Sequence, residues 1–247
     1  MTTGISIIPL EGIPEVEAGD DLVALLAEAA ERAGGLQDAD VVVVAQKIVS
    51  KAEGRVVRMD EIEPSERALE LADDRDPRHV EAILRESAHV VRVRPPLIIA
   101  ETRHGFICAS AGVDASNAKG AGTLVLLPLD PDASAAGIRA GLLERLGRDV
   151  GVIVSDSFGR AWRQGTTEVA LGVSGVAALL DLTGRRDAAG YELQGTQIAV
   201  ADELAGAAEL VLGKLRRVPA AVIRGLAAAG DGSGRGLVMP PERDLFR

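Results

Sequence analysis

Four consecutive valines at 41–44 constrain this chain more than any other feature. A strand with one face in water alternates apolar and polar side chains, and an unbroken β-branched run has no polar face to offer. Such a strand is buried on both sides, so the chain must build a sheet with structure above and below it. The material for those layers is present: apolar residues make up 47% of the 247, which excludes a disordered chain. Aromatics are only 2%, so the core must be assembled from Ala, Val, Leu and Ile.

Strand and helix patterns are interspersed along the rest of the sequence. Residues 5–10 read as a short strand and 22–33 as an amphipathic helix, capped by Asp20 or Asp21 and stopped by Gly34-Gly35. Residues 64–91 read as charged helix broken at Asp76-Pro77. Residues 97–101 and 106–110 read as a hairpin around Arg103-His104-Gly105. Strands are expected at 124–129, 151–155 and 220–224, and helices at 132–146 and 202–215; the small residues at 173–180 have helical character. The hairpin spoils a strict βαβ alternation. The fold class expected is α+β, a mixed sheet with two lobes in one cooperative unit, without repeats or a domain-separating linker.

Charge and composition remove several function classes. The net charge is −10, and an acidic surface argues against a general nucleic-acid binder. The single cysteine, Cys108, excludes an intramolecular disulfide framework and any multi-cysteine metal site; on its strand it reads as buried rather than nucleophilic. The start of the chain lacks the pattern of a signal peptide, and no apolar run is long enough for a membrane span, so a soluble cytoplasmic protein is expected. There is no P-loop and no G-x-S-x-G. The histidines at 79, 89 and 104 are dispersed, with His79 and His89 reading as surface residues of a charged helical region.

Three polar segments follow predicted strands. AQKIVSK at 45–51 leaves the valine run with Gln46, Lys47 and Lys51, two ammonium groups suited to a polyphosphate; ordinary surface lysines on a solvated connection are the plainer alternative. AGVDASNAKG at 111–120 offers Asp114, Asn117 and Lys119 within six residues, either ligands for a cation and nucleotide or an Asx turn. VSDSFGRAWRQGTTE at 154–168 puts Asp156 straight off a strand between Ser155 and Ser157, with Arg160, Arg163 and the sole tryptophan, Trp162, following. A carboxylate beside a hydroxyl suits Mg²⁺ or Mn²⁺, and a guanidinium grips phosphate or carboxylate; a capping Asp with surface arginines is the alternative. Together the residues point to a metal-dependent enzyme acting on phosphates.

In order along the chain, PLEGIPEVEAGDDL, DVVVVAQKIVSKAEGR, AGVDASN, LLPLDPDASAAGIRAGL, VIVSDSFGRAWRQG, VADELAGAAELVLGK and VPAAVIRG resemble the coenzyme F420-0:γ-glutamyl ligase family, which includes the CofE enzymes and the N-terminal half of FbiB. The resemblance implies a single CofE-like ligase domain over 1–247, with no C-terminal reductase-like domain. It implies GTP-driven attachment of L-glutamate, through an amide bond and an acyl-phosphate intermediate, to coenzyme F420-0 or its dehydro form. Two Mg²⁺ or Mn²⁺ ions are implied, with K⁺ a further candidate cofactor, and a homodimer. Asp114 and Asp156 would bind one metal and Ser157 the second; Ile13, Pro14, Glu15, Val16, Gln46, Lys47, Lys51 and Asn117 would contact GTP. Asp156 would be catalytic, and Arg160, with Arg163, is assigned by inference to hold the substrate's phosphodiester or carboxylate. Gln46-Lys47 stands where relatives often have Ser-Thr or Ser-Lys, Ser157 where Thr is common, and Lys214 where some relatives have a metal-binding Gln. The alternatives are another nucleotide-dependent carboxylate–amine ligase or phosphotransferase, and a non-catalytic nucleotide-binding subunit.

Overall fold

The computed structural model describes residues 4–115, 122–213 and 215–245. In chain order the elements are β1 (Ser6–Pro9), α1 (Leu22–Arg32), β2 (Val41–Ala45), α2 (Gln46–Ala52), β3 (Val56–Arg58), α3 (Glu66–Ala72), α4 (Pro77–Glu86), β4 (Ser87–Arg94), β5 (Leu97–Thr102) and β6 (Ile107–Ala109). There follow β7 (Thr123–Val125), α5 (Pro131–Leu146), β8 (Gly151–Arg160), β9 (Arg163–Ser174), β10 (Leu180–Asp181), β11 (Gln197–Ile198), α6 (Val200–Leu212) and β12 (Ala220–Arg224).

The largest sheet has five strands in the order β1-β12-β2-β8-β9. It is mixed: β2 runs parallel to β8, while the other neighbours are antiparallel. The valine run is the middle strand, and its side chains divide between two apolar clusters. Val42 and Val44 face α1 and α5 with Leu26, Leu142 and Val152. Val41 and Val43 face α6 with Ile153, Leu204, Ala208 and Ile223. All four valines are at most 3% exposed, as a strand covered on both faces requires.

A third cluster joins α3, α4 and the three-stranded sheet β4-β5-β6 around Val80, Ile83, Ile98 and Leu124. Helix ends follow local chemistry: Asp21, Ser65, Asp76 and Asp130 accept from backbone N–H groups at the starts of α1, α3, α4 and α5. Gly147 closes α5 in a left-handed conformation.

The observed class is mixed α and β around a mixed sheet, and several elements depart from the sequence reading. Residues 46–52 form α2 rather than a polar turn. Residues 87–91 belong to β4, not to a helix, so the exposed His89 sits on a strand. The strand expected at 151–155 continues through 160, because β8 and β9 form one long hairpin reversing at Ala161 and Trp162. Residues 173–174 are strand, and no helix forms over 173–180. Just before this stretch the backbones approach closely: a Cβ on Gly172 would lie 1.9 Å from the Pro131 carbonyl oxygen at the start of α5.

Candidate functional site

Ala45 and Ser155 are register partners in the parallel pair, so β2 and β8 release the following residues side by side. Gln46 opens α2 and Asp156 continues β8. The carboxyl ends of parallel strands are where side chains leave the sheet and a crevice forms. Here a cavity of about 1040 Å³ opens, reached by α2, the 13–16 segment, the 109–115 turn and the start of the β8–β9 hairpin.

The 109–115 turn is held in an uncommon backbone conformation. Ser110, Ala111 and Gly112 all have positive φ, at 54°, 49° and 72°. For the two residues with a Cβ this costs roughly 1 kcal/mol or more each, a strain that surrounding structure must hold in place. Gly112 is required twice over, since a Cβ there would come within 2.7 Å of the Leu127 side chain. The turn delivers Asp114, which exchanges backbone hydrogen bonds with Val125 at 3.0 and 2.8 Å. Its Oδ2 lies 2.6 Å from Lys47 Nζ. Lys51, one helical turn beyond Lys47, is buried and ion-paired with Glu15. The two lysines both line the cavity, and Asp114 meets Lys47 from another element.

On β8 and β9, Ser157 stands opposite Glu168 and its hydroxyl donates to Glu168 Oε1 at 2.5 Å. Burial, and after it the Glu168 charge, pushes the Asp156 carboxyl up to about 7; Asp114 adds to the rise and Lys47 opposes it. Cys108, nearby on β6, is buried, and its thiol is pushed up to about 12, chiefly by desolvation.

The cavity also gathers buried polar atoms that have no hydrogen-bond partner in the protein: Gln46 Nε2, Ser155 Oγ, Glu168 Oε2, Arg75 Nη1 and His79 Nε2. Leaving such a group unsatisfied costs about 1–3 kcal/mol. Five in one cavity are the mark of a polar ligand. The acidic donors here are all oxygens, which suits a hard divalent cation. Among the described residues no three acidic, histidine or cysteine side chains converge on one metal point. Mg²⁺ bound beside a nucleotide needs only one or two carboxylates, because phosphate oxygens and waters complete its shell. The donor set fits that kind of site.

The family model described as F420-0:Gamma-glutamyl ligase matches residues 12–225. The chain belongs to the F420-0:gamma-glutamyl ligase family. It is 47% identical to the coenzyme F420:L-glutamate ligase of Methanothermobacter thermautotrophicus, over 99% of each chain. It is also 47% identical to the protein of that name from Methanopyrus kandleri, over 100% of this chain and 98% of the relative, and 42% identical to the one from Archaeoglobus fulgidus, over 98% and 96%. Membership in this ligase family makes the chain an enzyme that forms amide bonds.

Of the residues that the family resemblance implied, Ile13, Pro14, Glu15, Val16, Gln46, Lys47, Lys51, Asp114, Asp156 and Ser157 all line the one cavity. Arg160 does not. It lies exposed near the hairpin tip, its Nη2 donating to the Gln164 carbonyl at 3.2 Å, because β8 runs straight on through 156–160 instead of turning. Asn117, Lys119 and Lys214 lie outside the described residues. Glu168, Arg75 and His79 also line the cavity, though the sequence reading did not place them in a site. Glu168 becomes a neighbour of Ser157 only through the hairpin register. Arg75 lies between α3 and α4 and His79 in the first turn of α4, so His79 is a half-buried cavity residue, not a surface one. No helix among the described residues is long and apolar enough to cross a membrane.

Proposed function

We propose that the chain uses GTP and a divalent cation to join L-glutamate, through an amide bond, to the carboxylate of coenzyme F420-0 or its dehydro form, in coenzyme F420 biosynthesis. One observation carries the reading: Asp114, Asp156 and Glu168 meet Lys47 and Lys51 in a single cavity beside buried, unpartnered polar atoms. The names of the relatives mention coenzyme F420 and L-glutamate, and the family description mentions F420-0, which supports the choice of acceptor and amine.

A free carboxylate resists attack by an amine because its oxygen is a poor leaving group. Phosphorylation removes that barrier. The acceptor carboxylate takes the γ-phosphoryl group of GTP, and GDP departs with the electron pair of the broken P–O bond. The amine of glutamate, having lost a proton, attacks the carbonyl carbon of the acyl phosphate. The C–O bond to phosphate then breaks, orthophosphate leaves, and the nitrogen sheds its second proton as the amide forms.

In this scheme Lys47 and Lys51 bind phosphate oxygens, and Gln46 with the 13–16 segment holds the nucleotide. Asp114, Asp156 and Ser157 would hold Mg²⁺ or Mn²⁺ ions, which when bound offset phosphate charge and align the transferring group. A two-lobed cooperative unit, a homodimer and a cytoplasmic setting belong to the same reading. The separate apolar cluster around α3 and α4 supports the lobes, and Trp162, 87% exposed, is the kind of side chain a subunit contact covers.

The test is a mass-spectrometric assay with F420-0, L-glutamate, GTP and Mn²⁺, each omitted in turn. A product heavier by one or more glutamyl units, requiring GTP and metal, establishes the reaction and counts the additions. GTP hydrolysis without that product identifies a different acid acceptor. Folded protein that neither binds nor turns over GTP overturns the reading in favour of a non-catalytic role.

A further inference from the structure

We propose that Arg75 and His79 form the amino-acid subsite, Arg75 taking the α-carboxylate and His79 Nε2 accepting a hydrogen bond from the α-amino group. The proposal rests on the ligase reading above and names where its amine substrate sits.

Both residues line the cavity, and each has a buried, unpartnered nitrogen: Nη1 of Arg75 and Nε2 of His79. The Arg75 guanidinium is steadied from its other side, where Nη2 lies 3.4 Å from the Ser110 hydroxyl in the strained turn. A guanidinium with a donor to spare takes a carboxylate or a phosphate. His79 decides between them.

Burial and then the Arg75 charge lower the affinity of the His79 ring for a second proton, against Asp114, Asp76 and the Val113 backbone, which favour it. The ring is therefore neutral at pH 7, with one donor and one acceptor nitrogen. Its hydrogen bond to the Val113 backbone does not involve Nε2, which has no partner. Nδ1 thus carries the proton, and Nε2 presents a lone pair to the cavity.

A lone pair beside a guanidinium repels a phosphate, which offers mainly acceptors. It suits a ligand that carries a carboxylate and an N–H donor on neighbouring atoms, and an α-amino acid is that ligand. The placement serves the chemistry too. Arg75 and Asp114 both act electrostatically on His79, and Asp114 is paired with Lys47. An amine held at His79 shares the cavity with Asp114 and Lys47, where the phosphates are to be bound.

The experiment varies L-glutamate at saturating GTP and acceptor, for the unaltered protein and for Arg75→Gln, Arg75→Lys, His79→Gln and His79→Phe, with GTP binding followed by calorimetry. Arg75→Gln is expected to raise KM for glutamate by about tenfold or more, the loss expected for one charge-assisted hydrogen bond, while the GTP Kd stays unmoved. It also narrows the preference for L-glutamate over γ-aminobutyrate, which lacks the α-carboxylate. His79→Phe raises the same KM more than His79→Gln, whose amide oxygen still accepts. If Arg75→Gln fails to fold by circular dichroism, Arg75→Lys keeps the charge, loses the fork and is read in its place.

A glutamate KM that is insensitive to these substitutions, or a GTP Kd that weakens in step with it, overturns the subsite. An unaltered protein that forms no glutamyl product overturns the ligase reading itself, and the two failures are told apart by that control.

Discussion

Ser157 and Glu168 are directly opposed across the β8–β9 ladder, and the serine hydroxyl binds one carboxylate oxygen while the other, Oε2, is buried without a partner. A buried anion left half satisfied is costly unless something positive joins it. Glu168→Gln should therefore weaken Mn²⁺ binding by about tenfold or more, since one anionic oxygen donor is lost from the site. It should also return the Asp156 carboxyl toward its ordinary range, because the Glu168 charge is the second-largest cause of its rise. Mn²⁺ titration by electron paramagnetic resonance, with a pH titration of Asp156 by NMR, checks both. Unchanged metal affinity would remove Glu168 from the site.

Asp156 gives the metal-free protein a pH dependence of defined sign. Its carboxyl moves from 3.8 up to about 7 on folding, so the folded state holds the proton more tightly than the unfolded one. The resulting stability is full below about pH 4 and is lost as pH rises toward 7. Each tenfold difference in proton affinity between the two states is worth about 1.4 kcal/mol. Asp156→Asn should thus be more stable than the parent at pH 8 in EDTA, by roughly 2 kcal/mol after allowance for partial solvation, with the gap closing near pH 4. Urea denaturation at the two pH values measures this. The same variant should lose ligase activity about a hundredfold or more, because the carboxylate is needed where phosphate charge is handled.

How much of this was legible in the sequence depends on the range of the signal. The four valines announced a central strand covered on both faces, because side-chain alternation is local and needs no partner. Asp156, Asp114 and Lys47 were legible as polar residues following strands. Their meeting was not, because it depends on the parallel register of Ala45 with Ser155 and on the left-handed turn at Ser110 and Ala111. Arg160 was misplaced for a related reason. The strand was expected to end at 155, yet pairing with β9 holds Asp-Ser-Phe-Gly-Arg extended and carries the arginine away from the cavity. Arg75 was not singled out and His79 was read as a surface residue, since a charged helical region looks the same whether it faces water or a cavity. The fold decides which.

Lys47 is ion-paired with Asp114, which also belongs to the candidate metal set. Lys47→Gln removes the attraction for phosphate and leaves Asp114 without its 2.6 Å counter-charge. GTP affinity should fall by about tenfold or more, and its salt dependence should flatten, because one charge contact no longer contributes. Calorimetry at two ionic strengths gives both numbers. A GTP Kd unchanged at low salt would place the nucleotide phosphates elsewhere in the cavity.

At the opposite end of β2 the ion pair of Asp40 and Arg224 serves the fold alone. Arg224 donates to both carboxylate oxygens, at 2.9 and 2.7 Å, and to the Gly35 carbonyl at 2.9 Å. Asp40 is 2% exposed, and its backbone carbonyl accepts from the Gly151 amide, so the pair ties β12 to the start of β2 and β8. Removing one partner of a buried pair strands the other charge, at about 3–5 kcal/mol. Arg224→Ala should therefore lower Tm by about 10 °C, given roughly 2–4 °C per kcal/mol in a chain of this size. The double substitution Asp40→Asn with Arg224→Met should recover part of that loss, because no buried charge is then left alone. Differential scanning calorimetry measures the melting, and GTP titration at a temperature where each variant is folded should give the parent Kd. A variant that melts as the parent does would mean that water reaches Asp40 and satisfies it once the arginine is gone.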